Sequence, residues 1–527
     1  MSNLFKVVIP NFNEGAYLEN NPDVVKGIEA GQHHDAYDHF LVHGIDENRL
    51  PPLNREPLSL VGRAEHAAVS DSGYFVVFGW LGDEGVDEPQ WRLDGRDFTV
   101  EIPQDAVFRY ARPDVEGGYR DGPYDYGYMI FGRTPSKNLL REEFEVRAWS
   151  RAALFKGRIA PDSWSDKRLL DTLLVRLKNA QSHLGLEAGM HQFLSGSAGE
   201  NLVSLFSAHA QANSRAPYVE TFGARPVSRS FLTVLFGSVE PMLLQPLLFN
   251  RMGVDFGEWI YVCNSPEDGN AALRIGRMIS ELYDVMITVV VMADNVGFGA
   301  ANNAGVAVAR SDAIYVVNPD IYPQKSQIEP LRRALAEREL GDILWGGLLF
   351  YDEQNLMHSG MFIEHDVFIR GQGLGHVAKE TPRTAVKLVR VEHFDKTVPF
   401  MPEQWRRPIV VPAISGAVMA FDRRRFEKIG GFSSRYIYGH YEDADLSLRW
   451  AREIGPVAVD PDLRLVHLEG QGSKPRGEQY RGAQLVNRHL FSLRYHDLFQ
   501  SRPELMTATR ELAVDGPRAR TPQSTEA

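Results

Sequence analysis

Between about residue 218 and residue 500, short apolar runs alternate with stretches of helical spacing, and that rhythm leaves few folds open. The apolar runs are Phe231–Phe236, Trp259–Cys263, Met286–Met292, Ala313–Val317, Ile343–Phe350 and Ala417–Phe421, with helical spacing at Ala271–Tyr283, Ala300–Ala309 and Gln327–Ala336. Strands that are apolar throughout, rather than at every second residue, need cover on both faces, and interleaved helices supply it. The expectation is an α/β fold: a mainly parallel sheet with flanking helices. Ligands of such sheets sit beyond the carboxyl ends of the strands, so that is where chemistry is sought.

Three segments carry it. In the first, Asp294 closes a strand and Asn295-Val296-Gly297-Phe298-Gly299 leads into a small-residue helix with Asn302-Asn303-Ala304-Gly305. Glycines there allow positive φ and close backbone approach, and a helix N-terminus favours a diphosphate. A Gly-x-Gly alone is more often a plain tight turn. The second segment is Asn318-Pro319-Asp320, directly behind the strand Ala313–Val317. A bare Asn-Pro-Asp is usually a turn. A carboxylate at a strand end, however, suits a hard divalent cation that neutralises a departing diphosphate. The third is Glu442-Asp443-Ala444-Asp445, three acids opening a helix that continues to Arg449. Complementing the helix dipole is the ordinary reason for acids there, worth up to about 1 kcal/mol each at an exposed site. A lone histidine, His467, closes the apolar stretch before Leu468 and would ordinarily be structural.

Taken together, the string Asn295–Gly305, the Asn318-Pro319-Asp320 turn, and Gly430-Gly431-Phe432 followed by Glu442-Asp443-x-Asp445-Leu446-x-Leu448-Arg449 resemble the inverting family-two glycosyltransferases of the GT-A type. The resemblance is to the rhamnosyltransferase- and galactofuranosyltransferase-like branch, and it spans the segment from about 218 to 500. It implies a nucleotide-sugar donor held by Asp294, Asn295, Gly297, Gly299, Asn303 and Asn318. It implies a divalent metal, Mg²⁺ or Mn²⁺, on Asp320 with His467. It implies Asp443 as catalytic base and Glu442 on acceptor hydroxyls. Asp445 belongs to the same acceptor side as an orienting or helix-opening acid. His358-Ser359-Gly360, Gly373-x-Gly375-His376 and Ser415-Gly416-Ala417 match further segments of these relatives and are expected to shape the pocket. The implied reaction moves a sugar to a hydroxyl of a glycan or lipid-linked glycan in bacterial surface polysaccharide synthesis.

The sequence also departs from the pattern. The first strand runs into Phe236-Gly237-Ser238-Val239-Glu240, and the second into Cys263-Asn264-Ser265-Pro266, with Cys263 where relatives place the acid that recognises the base. Nucleotide identity stays open for that reason. The altered turn also keeps a rival alive, a catalytically degenerate GT-A scaffold that binds glycans. A sugar nucleotidyltransferase would need a Gly-x-Gly-x-x-Arg loop after the first strand, and Phe236–Glu240 offers none.

The rest of the chain reads as accessory domains. Residues 1–50 carry helical spacing and resemble a small helical module found on bacterial surface and polysaccharide proteins, with Asn20-Asn21-Pro22-Asp23-Val24 at one end and His39-Phe40-Leu41 at the other. Lys6–Glu14 imitates the opening strand of a glycosyltransferase, but no second strand with a nucleotide turn follows. Pro51-Pro52 and Pro57 mark a linker. From 58 to 160, short alternating strands at Tyr74–Trp80, Gln90–Leu93, Phe98–Ile102, Tyr126–Phe131 and Glu143–Ser150 predict a β-sandwich. Trp80 and Trp91 are read there first as core, with sugar stacking as the alternative. Residues 165–215 read as a helical connector and 510–527 as a disordered tail.

Composition sets outer limits. The 527 residues carry 57 basic and 69 acidic side chains, a net charge of −12, which gives no nucleic-acid footprint. Cys263 is the only cysteine, so no internal disulfide framework exists, and a reducing cytoplasm is expected. Neither a signal peptide nor a spanning helix is read. If the acceptor is lipid-linked, membrane contact would be peripheral, at the inner face. Arg423-Arg424-Arg425 is read as a solvated helix face, with an anionic lipid carrier as the alternative.

Overall fold

The computed structural model describes residues 14–40, 60–82, 89–116, 125–134, 140–369, 385–468, 477–506 and 511–512, apart from Asp97, Arg151, Ala152 and Leu184, together with His43, Glu47 and Arg49. The expectations for Lys6–Asn13, the prolines of 51–57, Gly373–His376 and most of the 510–527 tail lie outside these residues; within that tail Glu511–Leu512 form a short strand antiparallel to Ile409–Val410, so the disordered reading is corrected there. The chain divides into two compact units: one is Met1–Leu169 with Ala180–Asn201 and Ile369–Thr384, and the other is Leu170–Asn179 with Leu202–Phe368 and Ala385–Ala527.

The first unit contains three short helices, Glu14–Asn20, Pro22–Glu29 and Ala36–His39, packed around Tyr17, Val24, Ala36 and Phe40. It also contains two antiparallel-rich sheets of five and four strands. Their long members, Val61–Ser70 against Tyr74–Gly82 and Phe144–Ser150 against Ala153–Ile159, pair antiparallel. Trp91 is wholly buried and packs on Tyr128 at a ring separation of 4.7 Å, so it belongs to the core and cannot stack on a sugar. Gly79 faces Tyr128 and the Arg63 carbonyl closely enough that any Cβ would collide.

The second unit is built on one mixed sheet. Its principal strands are β1 (Tyr218–Phe222), β2 (Ser230–Leu235), β3 (Glu258–Cys263), β4 (Met286–Val291), β5 (Ala313–Val317), β6 (Leu344–Phe350), β7 (Val418–Asp422) and β8 (Val457–His467). They lie in the order β1-β4-β3-β2-β5-β7-β6-β8. The run β4-β3-β2-β5 is parallel, as the unbroken apolar strands require. β7 enters antiparallel beside β5, β8 pairs parallel with β6, and β1 runs antiparallel along β4, so a parallel centre is flanked by antiparallel pairings. Helices α1 (Pro241–Arg251), α2 (Gly269–Tyr283), α3 (Gly297–Val308) and α4 (Ile328–Glu337) cross between strands. Gly305 of α3 is a packing glycine, since a Cβ there would stand 2.2 Å from Leu232.

Polar side chains in this core form connected chains. The Trp259 indole N–H donates to Thr233 Oγ1 at 3.0 Å, and Thr233 donates onward to the Val317 carbonyl at 2.7 Å. Such chains fix the relative heights of neighbouring strands, because breaking one strands a polar atom in apolar surroundings. The strand ends are thereby held level where the site forms. Among the described residues, no helix is long and apolar enough to cross a membrane.

Candidate active site

A cavity of about 340 Å³ opens at the carboxyl ends of β2, β3 and β5. Phe236 and Asn264 follow β2 and β3, and Asn318, Pro319 and Asp320 follow β5. Glu442 and Asp443 come from the start of α5 (Glu442–Glu453), and His467 is the last residue of β8. The two acidic segments, far apart in sequence, thus line one cavity.

At one end stands a carboxylate–imidazole pair. Asp320 is buried, and its Oδ1 lies 3.2 Å from His467 Nε2. The backbone explains the meeting: Ile321 pairs antiparallel with His467, and the Leu468 amide donates to the Asp320 carbonyl at 2.9 Å. His467 Nδ1 lies 3.3 Å from the Met357 sulfur. Among the described residues no group of three or more His, Cys, Asp or Glu is poised as a complete metal cage. One carboxylate and one imidazole, with water and substrate phosphates completing the shell, is nonetheless a donor set that Mg²⁺ or Mn²⁺ accepts.

At the other end the acids at the head of α5 divide sharply. Asp443 is half-buried; Oδ2 accepts from the Gly416 amide at 3.0 Å and Oδ1 from the Ala444 amide at 2.8 Å. Each oxygen keeps a second lone pair. Glu442 is 6% exposed, and its Oε2 has no hydrogen-bond partner among the described residues. Burial and then the neighbouring Asp443 push its carboxyl up to about 8, against a smaller pull from its own backbone amide.

Asp445 does not reach the cavity. It is fully buried, accepting from Tyr495 Oη at 2.8 Å and Tyr436 Oη at 3.1 Å, with Arg449 Nε at 2.7 Å and Arg494 Nε at 3.2 Å. It is a structural hub, and the acceptor-side placement is corrected on that ground. Asp445 and Arg449 are four residues apart on one helix, a spacing that announces an ion pair in the sequence itself.

The glycine-rich segment also differs from expectation. Asn295 and Asn318 line the cavity; Asp294, Gly297, Gly299 and Asn303 do not. The first amides of α3 are already bonded within the protein: Val296 to Asn264 Oδ1 at 3.0 Å, Gly297 to Asn295 Oδ1 at 2.9 Å and Phe298 to the Tyr438 carbonyl at 2.7 Å. The amides of Val296, Gly297 and Phe298 are therefore engaged within the protein and not offered to a diphosphate. The glycines serve close packing instead, since a Cβ on Gly297 would stand 3.0 Å from Phe206 and Tyr438, and one on Gly299 3.0 Å from Phe432. Asn303 clasps Phe432 with both amide atoms at 2.9 Å. Asp294 accepts from the Asn295 amide at 2.7 Å.

Several cavity residues were not foreseen. Asn264 donates to Asn295 Oδ1 at 2.9 Å, and Asn295 in turn donates to Tyr480 Oη at 3.2 Å. His393 lines the wall and shares a 2.7 Å Nδ1–Nδ1 hydrogen bond with His358. Because the Gly360 amide donates to His358 Nε2, His358 carries its proton on Nδ1 and His393 accepts. Just before α5, Tyr438, His440 and Tyr441 all have φ between 59° and 78°, a strained conformation for residues with a Cβ. Asn487 holds that loop through the Ile437 amide and the carbonyls of Ile437, Gly439 and His440. An asparagine far downstream, in the helix Glu478–Arg494, gives no sequence signal of this role.

Two expectations outside the cavity resolve. Cys263 is buried, donates to the Ser265 carbonyl at 3.1 Å, and has its thiol pushed up to about 11 by burial. Arg423 and Arg424 pair with Asp312, and Arg425 with Asp342.

Residues 268–409 match the family described as glycosyl transferase family 2, and residues 400–459 match one described as the N-terminal domain of galactosyltransferase. Residues 268–459 are thus similar to glycosyltransferase domains. The first match holds Asp320 and the second holds Glu442 and Asp443, while His467 lies beyond both. No curated protein matches the chain. Similar solved structures include GalNAc-T7 with UDP, GalNAc and Mn²⁺ at 14% identity and TM-score 0.34, covering 53% of this chain and 51% of that one. The mannosyltransferase PcManGT from Pyrobaculum calidifontis with GDP-Man and Mn²⁺ follows at 12% identity and TM-score 0.31, covering 64% and 84%. S. aureus TarS is 11% identical with TM-score 0.30, covering 53% and 77%. The chain spans about half the length of the first of these, and likenesses this weak fix neither donor nor acceptor.

Proposed function

We propose that this protein is an inverting GT-A glycosyltransferase of the rhamnosyl- and galactofuranosyltransferase-like branch. It would transfer a sugar from a nucleotide donor to a hydroxyl of a glycan or lipid-linked glycan in bacterial surface polysaccharide synthesis, at the cytoplasmic face. The observation that carries the reading is the shared cavity, with the Asp320–His467 pair at one end and Asp443 at the other. Asp443 takes the proton of the acceptor hydroxyl through a lone pair not engaged by Gly416 or Ala444. The acceptor oxygen bonds to the anomeric carbon as the bond from that carbon to the diphosphate oxygen breaks, inverting the centre. Asp320 and His467 would hold Mg²⁺ or Mn²⁺, which when bound supplies positive charge for the leaving diphosphate. Asn318 offers its side-chain amide to the donor, and Asn295, held in place by Asn264 and Tyr480, keeps one amide hydrogen for it.

The test is transfer or donor hydrolysis across UDP-, GDP-, dTDP- and CMP-sugars with metal present, beside Asp443→Asn. The reading expects one donor class to turn over and the variant to lose transfer while binding donor. Unchanged turnover in Asp443→Asn removes Asp443 as base. Cys263 turns inward and offers no contact to a base, which keeps the glycan-binding scaffold as a second reading. Calorimetry separates the two, because a glycan-binding scaffold ignores the nucleotide.

A further inference from the structure

The second unit buries five carboxyl groups among its described residues, and four of them have a cationic or imidazole partner. Glu258 has Arg310 at 3.0 Å and the Ser230 hydroxyl at 2.6 Å. Asp445 has Arg449 and Arg494, Asp460 has Arg338 at 2.6 Å, and Asp320 has His467. The fifth, Glu442, has no such partner among the described residues, and its Oε2 accepts nothing from them. A buried carboxylate without donor or counter-charge is costly, and the carboxyl escapes that cost by keeping its proton.

The surroundings supply no remedy. On its own helix Glu442 meets two more acids, Asp443 and Asp445. Across the cavity the titratable groups are Asp320, His467, His393, His440, Tyr438 and Tyr480, with no lysine or arginine among the described residues of the wall. Asp443 next door has both oxygens tied to backbone amides. Two adjacent carboxyls in one cavity thus have opposite hydrogen-bond environments.

Resting on the glycosyl-transfer reading, we propose that Glu442 works as a neutral carboxylic acid, its carboxyl turning into the cavity it lines to donate a hydrogen bond to an acceptor oxygen beside the hydroxyl that Asp443 deprotonates. The acceptor it fits presents two neighbouring oxygens, one to lose a proton and one to accept. A carbohydrate vicinal diol has this shape. Glutamine, which donates from nearly the same place, replaces the acid in this role; alanine does not.

The experiment compares wild type, Glu442→Gln and Glu442→Ala at saturating metal, with acceptor KM and kcat read separately from pH 6 to 9. Thermal melting and donor binding show that each variant is folded. The wild type is expected to lose acceptor affinity, with little change in kcat, as pH rises through about 8. Glu442→Gln keeps transfer without that alkaline limb, and Glu442→Ala raises acceptor KM about tenfold below pH 8, the value of one hydrogen bond at roughly 1.4 kcal/mol, with the gap to wild type closing at pH 9. Glu442→Gln as impaired as Glu442→Ala, or Glu442→Gln retaining the alkaline limb, overturns the proposal.

A second readout needs no turnover. The infrared difference between wild type and Glu442→Gln at pH 7 should show a protonated-carboxyl C=O band that fades by pH 9. Its absence overturns the neutral-acid assignment whatever the protein transfers. The band present, with no transfer from any nucleotide sugar, overturns the glycosyl-transfer reading and with it the acceptor role.

Discussion

Replacing Glu442 with glutamine should make this protein more stable at neutral pH than at mildly acidic pH relative to wild type. Wild-type Glu442 has its carboxyl raised from the ordinary 4.5 to about 8 by burial and by Asp443. Below 4.5 the group is protonated in both folded and unfolded chains and costs nothing. Between 4.5 and about 8 the unfolded chain ionises and the folded one does not, so folding stability falls steadily as pH rises; above 8 the loss is complete. At 1.36 kcal/mol per pH unit the full loss is on the order of 5 kcal/mol, and about 3 kcal/mol has accrued by pH 7. Glutamine carries no such dependence. Its buried amide costs about 1–3 kcal/mol if unsatisfied, but equally at every pH. The assay is therefore the difference in Tm between variant and wild type at pH 5, 6, 7 and 8. That difference should grow with pH by several degrees, at roughly 2 °C per kcal/mol for a unit of this size. Parallel Tm curves across that range would refute the claim that Glu442 is an unpaired buried acid.

Other outcomes follow from the same geometry. Asp445→Ala leaves Arg449 and Arg494 facing an empty buried site and should cost about 3–5 kcal/mol in chemical denaturation, a structural collapse rather than a selective loss of acceptor binding. Asn487→Ala releases the strained loop Tyr438–Tyr441; kcat should fall more than stability does, and comparable losses in a purely structural assay would count against a positioning role. Asn303→Ala should lower stability by about 1–2 kcal/mol while leaving donor affinity unchanged, because its amide clasps Phe432 and does not line the cavity. Cys263, buried and with its thiol near 11, should resist a thiol reagent in the native protein and react fully in denaturant.

The sequence displayed the sheet better than the site. β2, β3 and β5 are almost wholly apolar because both faces are covered, and such runs are visible without a structure. The place of Asp320 at the end of β5 was legible for the same reason. His467 was legible only through resemblance, because its partner is set by the short antiparallel pairing of Ile321 with His467, which local sequence does not encode. The head of α5 was half-legible. Three acids in one turn look alike, yet Asp443 takes backbone amides, Asp445 takes two arginines, and Glu442 takes no cation among the described residues. Which fate falls to which acid depends on the helix facing Gly416 on one side and Tyr436 and Tyr495 on the other. The glycines of Asn295–Gly305 misled for an instructive reason. Glycine permits both phosphate approach and close packing, and only the bonded amides of Val296, Gly297 and Phe298 distinguish the two.

The central claim is that one cavity holds a metal-bound nucleotide diphosphate against Asp320 and His467 with a base opposite. Titration calorimetry of nucleotide sugars, with and without Mn²⁺, into wild type and Asp320→Ala tests it most directly. The claim predicts metal-dependent binding of one nucleotide class that Asp320→Ala abolishes without unfolding the protein. Binding that ignores both the metal and Asp320, or no nucleotide binding at all, would contradict it.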